Sequence, residues 1–235
     1  MKVHLALFSY GGISGHAFDC VLDELSRFTG EDEALFSRPI DDALISRSRS
    51  KVASQFLEGT CDVLFMLDHD IGFAPGDLIA TCRKALDTGA MVGGLYALKT
   101  FGAGFSSRCA EKRGALVIGV DALVKATYLA SGFMAAPRAA LDTMLDKLSV
   151  ASIDALLSHL RITKCVHAPG EEFYDFFRPV VAESTLTEGR SEYLSEDWAF
   201  SRKASACGIQ PYVYLKPRLK HHGDFGFSVE DGGKR

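Results

Sequence analysis

The sequence lacks several features, and each absence narrows what the chain can do. None of its six cysteines (Cys20, Cys61, Cys82, Cys109, Cys165 and Cys207) stands in a C-x-x-C pair, and a chain of 235 residues does not need them as staples. They read as reduced thiols, which points to a cytoplasmic protein. No apolar run is long enough to span a bilayer. The amino-terminal run, residues 3–8, leads straight into a Gly-rich turn without a small-residue cleavage site, so it reads as a first strand and not a signal peptide. There is no basic excess: 26 Lys and Arg stand against 30 Asp and Glu, a formal net charge of -4. That balance argues against general nucleic-acid binding, with a modified nucleic-acid acceptor left open. An intact dinucleotide fingerprint is missing too. In the loop after the first strand Tyr10 takes the place of the first glycine of G-x-G-x-x-G, which disfavours a nicotinamide-dependent oxidoreductase. Internal repeats and low-complexity tracts are also absent.

What remains is ordinary globular content, with 47% hydrophobic and 24% charged residues, and enough length for a substantial core. Strand-like and helix-like stretches alternate. Strands are expected at residues 3–8, 34–36, 63–67, 91–95, 116–120, 127–129 and 209–215. Helices are expected at 16–27, from Asp41 and Asp42 as caps to Gly59, at 76–88, 138–148, 153–160 and 196–207. Residues 100–113 read as an irregular loop or a strand pair, 165–177 as the least regular and most aromatic stretch, and 185–193 as a polar, mobile segment. The fold class is therefore α/β.

The densest chemistry lies where the apolar run 63–67 gives way to Asp68-His69-Asp70 and then to Gly72, Pro75 and Gly76. An unbroken apolar run of that length suits a strand buried on both faces, and ligands of open α/β sheets bind at the carboxyl ends of such strands. If strand geometry persists through Asp70, the two acids point the same way and repel each other unless a cation lies between them. Hard oxygen ligands suit Mg²⁺ or Mn²⁺, and such an ion commonly carries a diphosphate. A second acidic site, Ser195-Glu196-Asp197, opens a helix, where carboxylates are favoured on structural grounds alone. Near the carboxyl end, His221-His222-Gly223 offers a further ligand in which either histidine can serve. A haloacid-dehalogenase-type phosphatase is disfavoured because Ile71-Gly72 does not continue its motif.

Taken in order, Leu44-Ile45-Ser46-Arg47-Ser48-Arg49-Ser50, the D-x-D-I-G-F stretch, Ser131-Gly132-Phe133-Met134, Ser195-Glu196-Asp197 and the late H-x-G form a set that resembles the GT-A glycosyltransferases, in particular small family-2-like and Anp1-like members. The resemblance spans roughly residues 3 to 227. It implies a Rossmann-like mixed, mainly parallel sheet with flanking helices, in a single domain over 1–235. The nucleotide-binding half would cover about 1–100 and the acceptor half about 101–235. It also implies a nucleoside-diphosphate sugar donor, UDP-sugar favoured, and an acceptor hydroxyl on an unspecified acceptor. By position, Asp70 resembles the metal-binding acid, with Asp68 sharing the metal or reaching the ribose, and His221 or His222 the late metal ligand. Asp197 resembles the base of inverting members, with Glu196 a neighbour that either supports it or binds the acceptor. Ser9, Tyr10 and Arg49 fall where the nucleotide lies, and Gly132 and Phe133 where the sugar is walled. A nucleotidyltransferase on a similar fold and a non-catalytic nucleotide-sugar-binding module are the alternatives.

Overall fold

The computed structural model describes all residues except 11, 40–41, 103, 113–114, 151–154, 185–186, 224–225 and 233–235. The chain begins by alternating strand and helix: β1 (Lys2–Phe8), α1 (Gly15–Leu25), β2 (Glu33–Ser37), α2 (Ile45–Glu58), β3 (Val63–Asp68), the short β4 (Ile71–Gly72), α3 (Asp77–Thr88) and β5 (Val92–Gly94). Short strands β6 (Arg108–Cys109), β7 (Glu111–Lys112) and β8 (Ala115–Leu116) precede β9 (Leu123–Tyr128), β10 (Phe133–Pro137) and α4 (Arg138–Leu148). Two hairpins follow, β11 (Lys164–Ala168) with β12 (Glu171–Tyr174) and β13 (Val180–Glu183) with β14 (Ser191–Leu194). The chain then runs through α5 (Glu196–Ala206), β15 (Tyr212–Tyr214), β16 (Lys220–His222), β17 (Gly226–Phe227) and α6 (Val229–Gly232).

An eight-stranded sheet in the order β2-β1-β3-β10-β5-β15-β9-β6 forms the centre. All of its strands except β10 and β9 run in one direction, so the sheet is mixed and mainly parallel. β3 shows why. Its apolar residues alternate between two cores: Leu64 and Met66 join Phe8, Met134 and the inner faces of α2, α4 and α5, while Val63, Phe65 and Leu67 join Leu5, Phe133 and the inner faces of α1 and α3. A strand covered on both sides must be apolar throughout. Each large side chain so buried contributes about 1.5–3 kcal/mol.

Charged side chains fasten the helices to this frame. α3 begins at Gly76, which has a left-handed backbone (φ 89°) and no side chain to cap with. Glu24, buried on α1, does that work by accepting from Gly76 N at 2.5 Å and Ile79 N at 2.8 Å. At the other end of the frame, Arg138 donates to the carbonyls of Phe56, Leu57, Gly59 and Cys61, closing the carboxyl end of α2.

Several local expectations are corrected. α2 has Leu44 as its N-cap, without a side-chain cap; Asp42 instead accepts from Leu44 N and pairs with Arg47, and Asp41 lies outside the described residues. The stretches 165–177 and 185–193 contain paired strands, because cross-strand partners supply the order that their polar, irregular sequence does not announce. The strand expected at 127–129 begins earlier, at Leu123, and residues 155–160 are a 3₁₀ turn. Among the described residues no helix is long and apolar enough to cross a membrane.

Candidate active site

Because β1, β3 and β5 run in the same direction, their carboxyl ends open on one edge of the sheet, and β10, running the other way, begins there. Ser9, Asp68, Tyr96 and Gly132 are thereby gathered from four parts of the chain. A cavity of about 220 Å³ at this edge is lined by Ser9, Tyr10, Ser48, Arg49, Asp68 and Asp70, among others.

The two acids of the D-x-D line this cavity but engage different partners. β3 ends at Asp68, and His69 and Asp70 form a turn into β4, so the strand geometry that would align the acids stops one residue too early. Asp68 faces inward, where its Oδ1 accepts from Arg49 Nη2 at 2.6 Å. Asp70 faces another way: its Oδ2 accepts from Lys99 Nζ at 2.5 Å and lies 3.7 Å from His221 Nε2. Burial would raise the Asp70 carboxyl, but His221 and Lys99 together hold it well below the usual carboxylate range.

Arg49 joins the two acidic stretches. Its side chain is 3% exposed, and besides Asp68 it reaches Glu196 Oε1, at 3.5 Å from its Nη1. Burial works against its charge, yet Asp68, Glu196 and Asp197 outweigh that and raise its pKa. Glu196 is shifted as well: burial raises it above the ordinary value, Arg49 opposing and Asp197 adding. At the start of α5, Asp197 Oδ1 accepts from Ser195 Oγ at 2.5 Å and from Trp198 N at 2.8 Å, so the side chain of Ser195, the N-cap residue, braces the acid and makes no cap bond to a backbone N–H. Arg49 Nε and Ser131 Oγ, both buried at this corner, have no hydrogen-bond partner among the described residues. The corner thus keeps polar capacity that a bound molecule can satisfy.

The remaining expected residues separate into those at the pocket and those away from it. Ser9 is buried and Tyr10 is 73% exposed at the pocket's rim. Gly132 lies beneath Asp68 and Tyr96; a Cβ there would stand 2.5 Å from Tyr96 Oη and 2.8 Å from Asp68 Oδ2, so no side chain fits. Phe133, expected to wall a sugar, is instead fully buried in the core against Phe65 and Phe73. His221 and His222 are neighbours on β16 and point to opposite sides, as alternation requires. His221 faces Asp70, whereas His222 stacks on His16 with ring centroids 4.8 Å apart. Sequence reasoning passed over Lys99, which follows Tyr96 beyond the end of β5. Its signal was positional, since that strand ends on the same ligand-binding edge.

Asp68, Asp70, His221 and His222 are therefore not one ligand set, and among the described residues no group of three or more such side chains is placed to hold a metal ion. Asp70 and His221 nevertheless form a fitting pair. The Ala97 carbonyl, 2.9 Å from His221 Nδ1, can only accept, so Nδ1 donates to it and Nε2 is turned toward the Asp70 carboxylate. A carboxylate oxygen and an imidazole nitrogen so placed are atoms a divalent cation can use, and Mg²⁺-type sites commonly take one or two protein ligands with substrate phosphates and water completing the shell.

No protein-family model matches the chain, and no curated protein matches it. Among solved structures, the crystal structure of A197 from STIV is similar with a TM-score of 0.59 at 15% identity, covering 98% of this chain and 92% of that one. The crystal structure of GalNAc-T7 with UDP, GalNAc and Mn²⁺ is similar with a TM-score of 0.53 at 12% identity, covering 94% of this chain and 43% of that one. This chain thus corresponds to less than half of the GalNAc-T7 chain. At these identities the likeness is one of fold, and that fold is the GT-A glycosyltransferase fold: a mixed, mainly parallel sheet between helix layers.

Proposed function

We propose that the chain is a metal-dependent glycosyltransferase of the small family-2-like or Anp1-like kind, moving a sugar from a nucleoside-diphosphate sugar, UDP-sugar by preference, to an acceptor hydroxyl with inversion. The observation that carries this reading is the meeting of both acidic stretches on one buried guanidinium, Asp68 from the end of β3 and Glu196 from the start of α5. Such a junction holds a donor-side acid and an acceptor-side acid at a fixed separation, which a transfer between two bound molecules requires.

In this reading Ser9 and Tyr10 edge the nucleotide, Asp68 stands toward the ribose, and the bare backbone at Gly132 gives Asp68 and Tyr96 room to pack beside the sugar position. Asp70 and His221 hold Mn²⁺ or Mg²⁺, which when bound stabilises the negative charge that develops on the leaving diphosphate. Asp197 takes the proton of the attacking hydroxyl. Ser195 and Trp198 fix one of its oxygens, so the carboxylate is oriented before the acceptor arrives. Glu196 contacts the acceptor beside it.

Calorimetry with UDP, GDP and their common sugars, with and without Mn²⁺, tests the donor site. One nucleoside diphosphate is expected to bind only with the metal, and Asp70→Ala to abolish that binding. Binding that ignores both the metal and Asp70 would overturn the reading. For the chemical step, Asp197→Asn is expected to lower kcat by about 10²–10⁴-fold while leaving donor binding intact. A product with the donor's anomeric configuration would remove Asp197 from its role.

A further inference from the structure

Lys99 has no part in the reading above, yet it touches the same atom. Its Nζ donates to Asp70 Oδ2, the oxygen that faces His221 Nε2. The segment that carries it also sets the histidine: the Ala97 carbonyl accepts a hydrogen bond from Nδ1, and the Tyr96 ring meets the imidazole edge-on at 5.2 Å. One short stretch after β5 therefore supplies or orients both partners of Asp70. The Asp70 side chain is only 18% exposed, and a carboxylate so withdrawn from water is costly without a cation beside it. Lys99 itself is 38% exposed, and lysine is a point charge on a flexible four-carbon stem, without the fork that fixes arginine to a carboxylate. Such a cation can leave without disturbing the fold.

We propose that Lys99 is an exchangeable counter-ion of Asp70: it neutralises the acid while no donor is bound, yields the carboxylate to the divalent cation, and then pairs with the diphosphate. This rests on the reading of Asp70 as a metal ligand and adds an order of events to it. A divalent cation arriving alone meets an ammonium on its own oxygen, and like charges disfavour it. When a diphosphate arrives as well, the ammonium has a new anion to pair with. Lys99 thus couples metal and nucleotide binding, and the coupling is reciprocal.

The test measures Mn²⁺ binding, without nucleotide and with saturating UDP, to the wild type, Lys99→Met and Lys51→Met. Lys51 pairs with Glu171 on the far side of α2 and controls for the loss of one positive charge. Lys99→Met is expected to bind Mn²⁺ alone about tenfold more tightly than the wild type, and its gain from UDP to shrink by a similar factor, within the about 5–150-fold range of such couplings. Lys51→Met is expected to match the wild type. Equal Mn²⁺ affinity in Lys99→Met and wild type, or the same gain in Lys51→Met, overturns the exchange but leaves the metal reading standing. Absence of Mn²⁺ binding in all of them, with and without UDP, overturns both.

Discussion

Lys203 is a fully buried amine whose Nζ donates to the carbonyls of Asp175 (3.1 Å), Phe176 (2.8 Å) and Arg178 (3.3 Å), tying α5 to the turn after β12. Burial pulls its pKa down to about 7, with Asp175 opposing. In the unfolded chain the ordinary lysine value of about 10.4 returns. Between those values the unfolded state holds a proton that the folded state has released, so this group makes stability increase with pH from about 7 to about 10. Denaturant titrations of the wild type are expected to show that rise, and Lys203→Met to lack it. At pH 7 the variant should also be less stable by about 1–3 kcal/mol, because buried carbonyls lose their donor. Identical pH slopes in the two proteins would mean that Lys203 stays charged throughout. Arg49 is the opposite case, a buried cation kept charged by two carboxylates. Arg49→Ala, which strands Asp68 and Glu196, is expected to cost about 3–5 kcal/mol in the same assay.

The elements differ in how much of them could be read in advance. β1 and β3 were legible as unbroken apolar runs, α3 and α4 by the period that one buried face imposes on their apolar residues, and β3 announced the ligand edge by ending in acids. α2 was legible as a helix but not in its polar half. Ser50 Oγ accepts from Phe177 N and Ser54 Oγ from Tyr174 N, so these serines are buried to satisfy a distant segment, which no local pattern encodes. The histidine at Asp70 was ambiguous for a similar reason. Alternation says that only one of His221 and His222 can face it, and the choice is made by the pairing of His221 with Ile71, a contact between segments far apart in the chain. Arg138 binds carbonyls at the end of α2 from the first position of α4, again out of reach of local reading. Its removal should act on those elements. Arg138→Ala is expected to lower stability by about 2–3 kcal/mol and to speed amide exchange at residues 56–63, leaving α3 protected. Uniform loss of protection would instead mean that the arginine supports the whole fold.

At the scale of the molecule, the sheet draws strands from both halves of the chain, and the proposed site lies where they meet: the turn after β3, the stretch after β5, β16, and the polar residues of α2 and α5. A metal–nucleotide pair held there touches several segments that exist together only in the folded chain, so binding must favour the folded state as a unit. At a ligand concentration 100 times Kd the linkage amounts to about 2.7 kcal/mol. For a chain of this length that corresponds to a rise in Tm of about 5–10 °C. The rise is expected with UDP and Mn²⁺ together, and to be small with either alone, because each leaves part of the charge at Asp70 or on the diphosphate uncompensated. Asp70→Ala should abolish the shift while leaving the ligand-free protein folded, since its carboxylate lies in a turn outside both main cores. A full shift from UDP without Mn²⁺ would require the protein's own cations to carry the diphosphate, and thermal melts across a Mn²⁺ titration distinguish the two cases directly.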